Sequence, residues 1–396
     1  MDPRRNPYAP GAGTSPPELA GRAALIERAA IALDRIRNGR AARSFVFYGL
    51  RGVGKTVLIH KVLQEAEART FSCAWMEAPE ERSLPALLAP ALRATLLNLS
   101  RGEAIRAKLK KALTGLAGFA SVMKLKYKDV EVGVDYKPQK GLADSGDLET
   151  DLADLMAVVG EAAREHKTAV VLFVDELQYV EQDQLAALIT ALHRTSQNQL
   201  PVTMIAAGLP QLVGQAGRAK SYAERLFEFV HIDRLEEEPA RAALVVPARK
   251  EGVHYEAAAI DAILEQTKGY PYFLQEWGKH SCNMADASPI KRTDVKKATV
   301  AALGELDNSF FRVRFDRLTP AEKMYMRAMA ELGPGPHRSG DIAHLLKKKV
   351  TAVAPMRNTL MSKGMVFSPA HGDTAFTVPL FDGFMKRIIP KFQGGA

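Results

Sequence analysis

Short, wholly apolar runs alternate along the first two thirds of the chain with longer amphipathic ones. Phe45-Val46-Phe47-Tyr48, residues 71–76, 169–174 and 202–207 are strand-sized. Apolar character unbroken over a strand length means burial on both faces, as in a central parallel strand. Between these runs, apolar residues recur at helical spacing. Examples are Leu25, Ile26, Ala29, Ile31 and Leu33 in 17–36, Leu84, Leu87, Leu88, Leu92, Leu96 and Leu97 after Ser83, and the stretches 147–164 and 182–195. Strands alternating with helices predict an α/β region over 19–235, a parallel sheet wrapped by helices.

The pattern then changes. Residues 236–301 are helical throughout, 302–317 form a connecting segment, and 318–390 form a compact module with a tail at 391–396. In that module Thr319 with Glu322 is a capping-box signature and Pro320 suits the first helical position. Met324, Met326, Met329 and Leu332 mark a first helix, Ile342, Leu345 and Leu346 a second, and 351–363 a third that Gly364 ends. Residues 365–368 and 374–378 then read as two strands joined through His371-Gly372-Asp373. Two stretches stand outside the alternation. Residues 1–18, rich in Pro and Gly, predict an extended N-terminal arm. Residues 100–140 predict a basic insertion: Arg101, Arg106, Lys108, Lys110 and Lys111 crowd one helix, and 123–136 alternates as a β-hairpin does. Its Lys124, Lys126 and Lys128 suit contact with DNA or a solvated face equally.

Composition adds limits. A chain of 396 residues, 47% hydrophobic, can bury more than one core. No apolar run is long enough to span a membrane, and the N-terminus lacks an apolar signal core, so a cytoplasmic protein with no membrane partner is expected. The two cysteines, Cys73 and Cys282, lie far apart with no C-x-x-C and suggest neither zinc nor a disulfide. A net charge of +9 favours anionic partners.

The first apolar strand ends in Gly49-Leu50-Arg51-Gly52-Val53-Gly54-Lys55-Thr56, followed by Val57, Leu58, Val62 and Leu63 at helical spacing. G-x-x-x-x-G-K-T between a strand and a helix is the phosphate-binding loop. Its glycines let the backbone turn N–H groups inward, the helix start adds positive dipole, Lys55 reaches the terminal phosphates and the Thr56 hydroxyl ligates Mg²⁺. Farther on, the run 169–174 ends in Asp175-Glu176, at a strand end where ligands of open α/β sheets bind. Asp175 is placed to hold Mg²⁺ through water and Glu176 to polarise the attacking water, with Gln178 beside them.

In this order of parts the chain resembles an AAA+ ATPase, and most closely the origin-recognition and replication-initiator branch with a C-terminal winged helix. The resemblance rests on GLRGVGKT, then VVLFVDE, then PVTMIAAGLP, then Arg225 in AERLF, then an all-helical lid. It implies ATP as the nucleotide, and no guanine-reading N-K-x-D follows the acidic strand. It further implies self-association, with Arg225 as an arginine finger for a neighbouring subunit. Two departures bear on turnover. Ala206-Ala207-Gly208 offers no polar first-sensor side chain, and Gly269-Tyr270-Pro271 stands where a second-sensor arginine is usual. That segment resembles the G-x-P of STAND-type signalling ATPases, which puts Pro271 at the nucleotide and implies slow, switch-like turnover.

The module at 318–390 resembles a winged helix-turn-helix. Its third helix would enter the major groove of double-stranded DNA with Thr351, Arg357, Asn358 and Ser362, while Lys347, Lys348, Lys349 and Lys363 meet phosphates and His371 sits at the wing tip. The expectation is an ATP-hydrolysing protein whose nucleotide state controls self-assembly and DNA binding. The alternative is a STAND-like signalling or defence ATPase whose C-terminal module binds a protein partner.

Overall fold

The computed structural model describes residues 2–11, 13–99, 106–130 and 136–392. Five parallel strands, β1 (Ser44–Tyr48), β2 (Ser72–Glu77), β3 (Val170–Asp175), β4 (Val202–Gly208) and β5 (Phe227–His231), form one sheet in the order β2-β3-β4-β1-β5. β3 and β4 are buried at every position. Because side chains alternate across a strand, each strand feeds two apolar layers. Phe45, Phe47, Phe173 and Ile205 pack with the helices Ala23–Arg37 and Lys55–Ala68 on one face. Val46, Leu172, Val174 and Met204 meet Leu84–Leu99, Leu148–Glu165 and Gln182–Gln197 on the other.

The expected hairpin within the insertion is corrected in its first part. Ala107–Lys126 is one helix, and Met123 lies buried inside it. Leu109, Ala112, Leu113, Leu116, Phe119, Ala120 and Met123 give it an apolar face at helical spacing, which outweighs the short alternation after Met123. Gly118 lets the helix approach the next loop, where a Cβ would stand 2.8 Å from the Leu142 carbonyl oxygen. The expected strand residues 131–135 lie outside the described residues.

Four helices follow the sheet: Glu237–Lys250, Ala257–Thr267, Pro271–Met284 and Arg292–Asn308. The C-terminal module carries Pro320–Leu332, β6 (His337–Arg338), Ser339–Leu345, Val350–Ser362, β7 (Val366–Phe367), β8 (Asp373–Phe376) and Phe381–Ile388. Its strands pair antiparallel in the order β6-β8-β7. The capping box forms, with the Thr319 amide donating to Glu322 Oε2 at 2.7 Å.

The four helices and the C-terminal module share one apolar core. Phe311 stacks on Phe384 at 5.2 Å between ring centroids, and lies 5.7 Å from Phe381 and 6.2 Å from Phe273. The segment 302–317, expected to connect two units, is part of that core: Phe311 and Phe315 are buried in it. The N-terminal arm is fastened to the same body. Tyr8 is buried, its hydroxyl donates to the Leu244 carbonyl and accepts from Tyr255 at 3.0 Å, and Asn6 Nδ2 donates to the Lys279 carbonyl at 2.8 Å. Among the described residues, no helix is long and apolar enough to cross a membrane.

Candidate nucleotide site

The loop after β1 has the backbone that its glycines permit: Gly52 and Gly54 lie at φ +80° and +88°. These left-handed values are costly for any residue with a Cβ. Gly49 is needed for space, because a Cβ there would stand 2.0 Å from the Ile232 carbonyl oxygen. Lys55 opens the helix Lys55–Ala68 and is buried, with Nζ donating to the Gly49 carbonyl at 3.0 Å and the Leu50 carbonyl at 2.8 Å. Burial lowers its pKa to about 8, Asp175 and Glu176 working against that shift and Arg51 adding to it.

The end of β3 brings the acids across. Thr56 Oγ1 donates to Asp175 Oδ2 at 2.7 Å, and Asp175 Oδ1 accepts from the Glu176 amide at 2.8 Å. Burial raises the Asp175 pKa, opposed mainly by the Thr56 hydrogen bond. A hydroxyl and a carboxylate already in line are the donor set that Mg²⁺ takes, since the ion prefers one or two protein oxygens and keeps several waters. Glu176 sits at φ +53°, turned off the strand. Arg51 Nη1 approaches its Oε1 at 3.5 Å, and Gln178 Nε2 donates to its Oε2. Gln178 is held in turn by the Leu209 amide, which donates to its Oε1 at 2.9 Å. At Gly208 a Cβ would meet that same oxygen at 2.7 Å, so the small residue at the end of β4 makes room for Gln178.

The walls complete a cavity of about 760 Å³. That is within the size range of small-molecule sites. Pro10, Gly11, Gly13 and Thr14 of the arm form one side, with His60 and Trp75 stacked at 4.1 Å beyond them. Pro271 and Tyr272 form another, and the Tyr272 amide donates to the Gly52 carbonyl at 3.1 Å. The phosphate loop residues Arg51 to Thr56, with Asp175, Glu176 and Pro271, are thus brought together.

Residues 18–205 match the family model for the AAA ATPase domain. Over that stretch the chain has the AAA+ fold. Residues 308–385 match the model of a domain of unknown function, DUF8462. Among solved structures, the chain is similar to the Walker-type ATPase PABY2304 of Pyrococcus abyssi at 16% identity, covering 94% of this chain and 97% of that one with a TM-score of 0.55. It is also similar to the Orc1 protein of Aeropyrum pernix, solved in complex with DNA, at 14% identity, covering 97% and 96%, TM-score 0.50. At these identities the likeness is one of fold. No curated protein matches the sequence.

Other sequence candidates lie outside the cavity. Arg225 is exposed in the short helix Ala223–Leu226 ahead of β5 and does not line its own chain's cavity. Lys347, Lys348 and Lys349 are exposed before the helix Val350–Ser362, with no ion pair among the described residues. Thr351, Asn358 and Ser362 share that helix's exposed face, and His371 is exposed in the turn between β7 and β8. Two expectations are corrected. Arg357 is turned inward, its Nε donating to Thr374 Oγ1 at 2.8 Å and its Nη2 to the Asp373 carbonyl at 2.9 Å. Lys363 donates to Glu322 at 2.8 and 3.0 Å and to the Arg317 carbonyl at 3.1 Å. Neither is free to meet a base edge or a phosphate.

The structure adds contacts that no motif announced. The Arg51 amide donates to the Thr377 carbonyl at 2.9 Å, and Arg51 Nη2 donates to Tyr179 Oη at 2.7 Å. Gly364 abuts Tyr179, Arg51 and Leu209, and Arg317 donates to Glu80 at 2.7 Å. The C-terminal module is therefore docked on the phosphate loop of the AAA+ fold, through a backbone carbonyl and a glycine that carry no sequence signal.

Proposed function

We propose that the chain is a slow, switch-like ATPase in which nucleotide, held with Mg²⁺ at Thr56 and Asp175, controls self-assembly and the engagement of double-stranded DNA by the C-terminal module. One observation carries the switch. Arg51 is bonded at once to Glu176, the residue placed to activate water, and to Thr377 of the C-terminal module. Arg51 and Gln178 each contact one Glu176 oxygen, and donors on a carboxylate lower its basicity toward an attacking water. Moving the module changes the partners of Arg51, and a change at the phosphates is felt by the module in return. Mg²⁺ would supply charge neutralisation at the terminal phosphates, with Lys55 and the loop amides holding their oxygens.

The exposed lysines before Val350–Ser362 and the positive net charge support DNA as the partner. The Aeropyrum pernix relative was solved with DNA, which makes duplex DNA the ligand to try first. A second reading, a signalling ATPase with a protein partner, is favoured by the inward turn of Arg357 and Lys363. These leave the exposed face of Val350–Ser362 uncharged, with Val350, Ala354 and Pro355 exposed beside Thr351, Asn358 and Ser362. Duplex binding by the whole chain, followed by fluorescence anisotropy at low salt with ATP, with ADP and without nucleotide, separates the two. Affinity that changes with nucleotide, in step with oligomeric state by light scattering, is expected. A folded chain with no DNA affinity in any nucleotide state assigns the module to a protein partner.

A further inference from the structure

Arg314 lies in the short helix Arg312–Asp316, after the helical lid and before the C-terminal module, far in sequence from any motif of the nucleotide site. It nevertheless lines the same cavity as Lys55, Thr56, Asp175 and Glu176. It also lines a second cavity of about 630 Å³ that shares Arg51 and Glu176 with the first, so it stands where the two meet. Its guanidinium makes no ion pair with a carboxylate among the described residues. Instead it donates to the Phe310 carbonyl and lies over the Phe310 ring, 4.2 Å from the centroid. Burial lowers its pKa to about 10, and the neighbouring Arg51 adds to the shift.

A half-buried cation with the field of Glu176 in its favour but no carboxylate in contact is stabilised when an anion completes its surroundings. Arg51 is already committed to Glu176 and Tyr179, whereas Arg314 is bound to a neutral carbonyl and an aromatic face. Its position is not that of a free surface side chain. Phe310 stacks on Tyr272 at 4.6 Å, and the Tyr272 amide is bonded to Gly52 of the phosphate loop. The segment bearing Arg314 is thereby keyed to the loop that holds the phosphates. On the other side, Phe311 and Phe315 are buried in the core of the C-terminal module. No residue of β4 lines the cavity, so no polar side chain from that strand reaches the phosphates.

We propose that Arg314 supplies, in cis, the cation that reads the terminal phosphate of a bound nucleoside triphosphate and reports it to the C-terminal module. The proposal rests on the nucleotide-site reading above and adds to it which residue distinguishes a triphosphate from a diphosphate. A charge-assisted contact to a γ-phosphate oxygen exists only with the triphosphate, so removing it is felt by ATP and not by ADP.

The test is calorimetric titration of the whole chain and its Arg314→Gln and Arg314→Lys variants with Mg·ATP and Mg·ADP. Glutamine keeps a donor for the Phe310 carbonyl and loses the charge. Lysine keeps the charge without the planar fork. A loss of about tenfold or more in ATP affinity is expected for Arg314→Gln, with ADP affinity unchanged and partial recovery of ATP binding in Arg314→Lys. Equal weakening of both nucleotides, or unchanged ATP affinity in a folded Arg314→Gln protein, overturns the proposal. If the glutamine variant does not fold, Arg314→Met is read the same way: an ATP preference over ADP equal to that of the parent in a folded Arg314→Met protein overturns the proposal. A parent chain that binds neither nucleotide would instead remove the nucleotide reading itself, so the two failures are distinct.

Discussion

Lys55 is a buried ammonium, and nucleotide binding is expected to be coupled to proton uptake above neutral pH. Burial lowers its pKa from 10.5 to about 8 even though Asp175 and Glu176 oppose the shift. A change of that size corresponds to roughly 3 kcal/mol in favour of the neutral amine. In the unfolded chain the lysine stays protonated to about pH 10.4. Between about pH 8 and that value the unfolded chain holds more protons, so the stability of the nucleotide-free protein rises with pH in this window and is lost again on descent through pH 8. Nucleotide affinity runs the other way. Phosphate oxygens favour the ammonium, so affinity is level below about pH 8 and falls by up to about tenfold per pH unit above it. Calorimetry with ADP in two buffers of different ionisation heat reads the proton directly. Proton uptake per nucleotide is expected to be partial at pH 7.5 and to approach one by pH 9. Affinity that does not change between these values, with no proton taken up at pH 9, refutes the reasoning.

Glu176→Gln should keep ATP bound and slow hydrolysis by at least about tenfold, roughly 1.4 kcal/mol of barrier; a smaller fall in steady-state turnover gives the water-activating role to another residue. Arg225→Ala should spare ATP binding and lose turnover, and mixing it with Lys55→Ala should restore some activity across a shared interface. A mixture of folded variants that stays inactive would mean that Arg225 does not act in trans. If Lys347, Lys348 and Lys349 meet three phosphates, replacing all three with Ala should flatten the slope of log affinity against log salt by about 2.7. An unchanged slope removes them from the interface.

The phosphate loop and the acids of β3 were legible because their chemistry is local. Gly49 to Thr56 and Asp175-Glu176 are each contiguous, and the strands before them announce themselves by unbroken apolar runs. The sheet was legible for the same reason. Arg357 and Lys363 were misread because their partners come from elsewhere: Thr374 and the Asp373 carbonyl from β8, Glu322 from the first helix of the module. A basic residue on a helix looks the same in sequence whether it faces solvent or an acceptor 40 residues away. The hairpin expected at 123–136 failed at its start because a few alternating residues cannot outweigh a buried face that runs the length of Ala107–Lys126. Arg314 was illegible for a further reason: its place on the cavity goes with the stacking of Phe310 on Tyr272, which no spacing rule encodes.

The apolar core shared by the lid and the C-terminal module decides where the molecule can bend. Separating the two would expose the ring stack of Phe311 on Phe384, so a hinge at 302–317 would be paid for in exposed aromatic surface. A rotation of one would therefore carry the other with it. The chain passes from the sheet to that body just after β5, where Ile232 belongs to the core of the sheet and Leu235 to the shared core, and the arm is fastened to the same body through Tyr8. A rotation at that junction would carry the exposed helix face at Thr351, Asn358 and Ser362 with it.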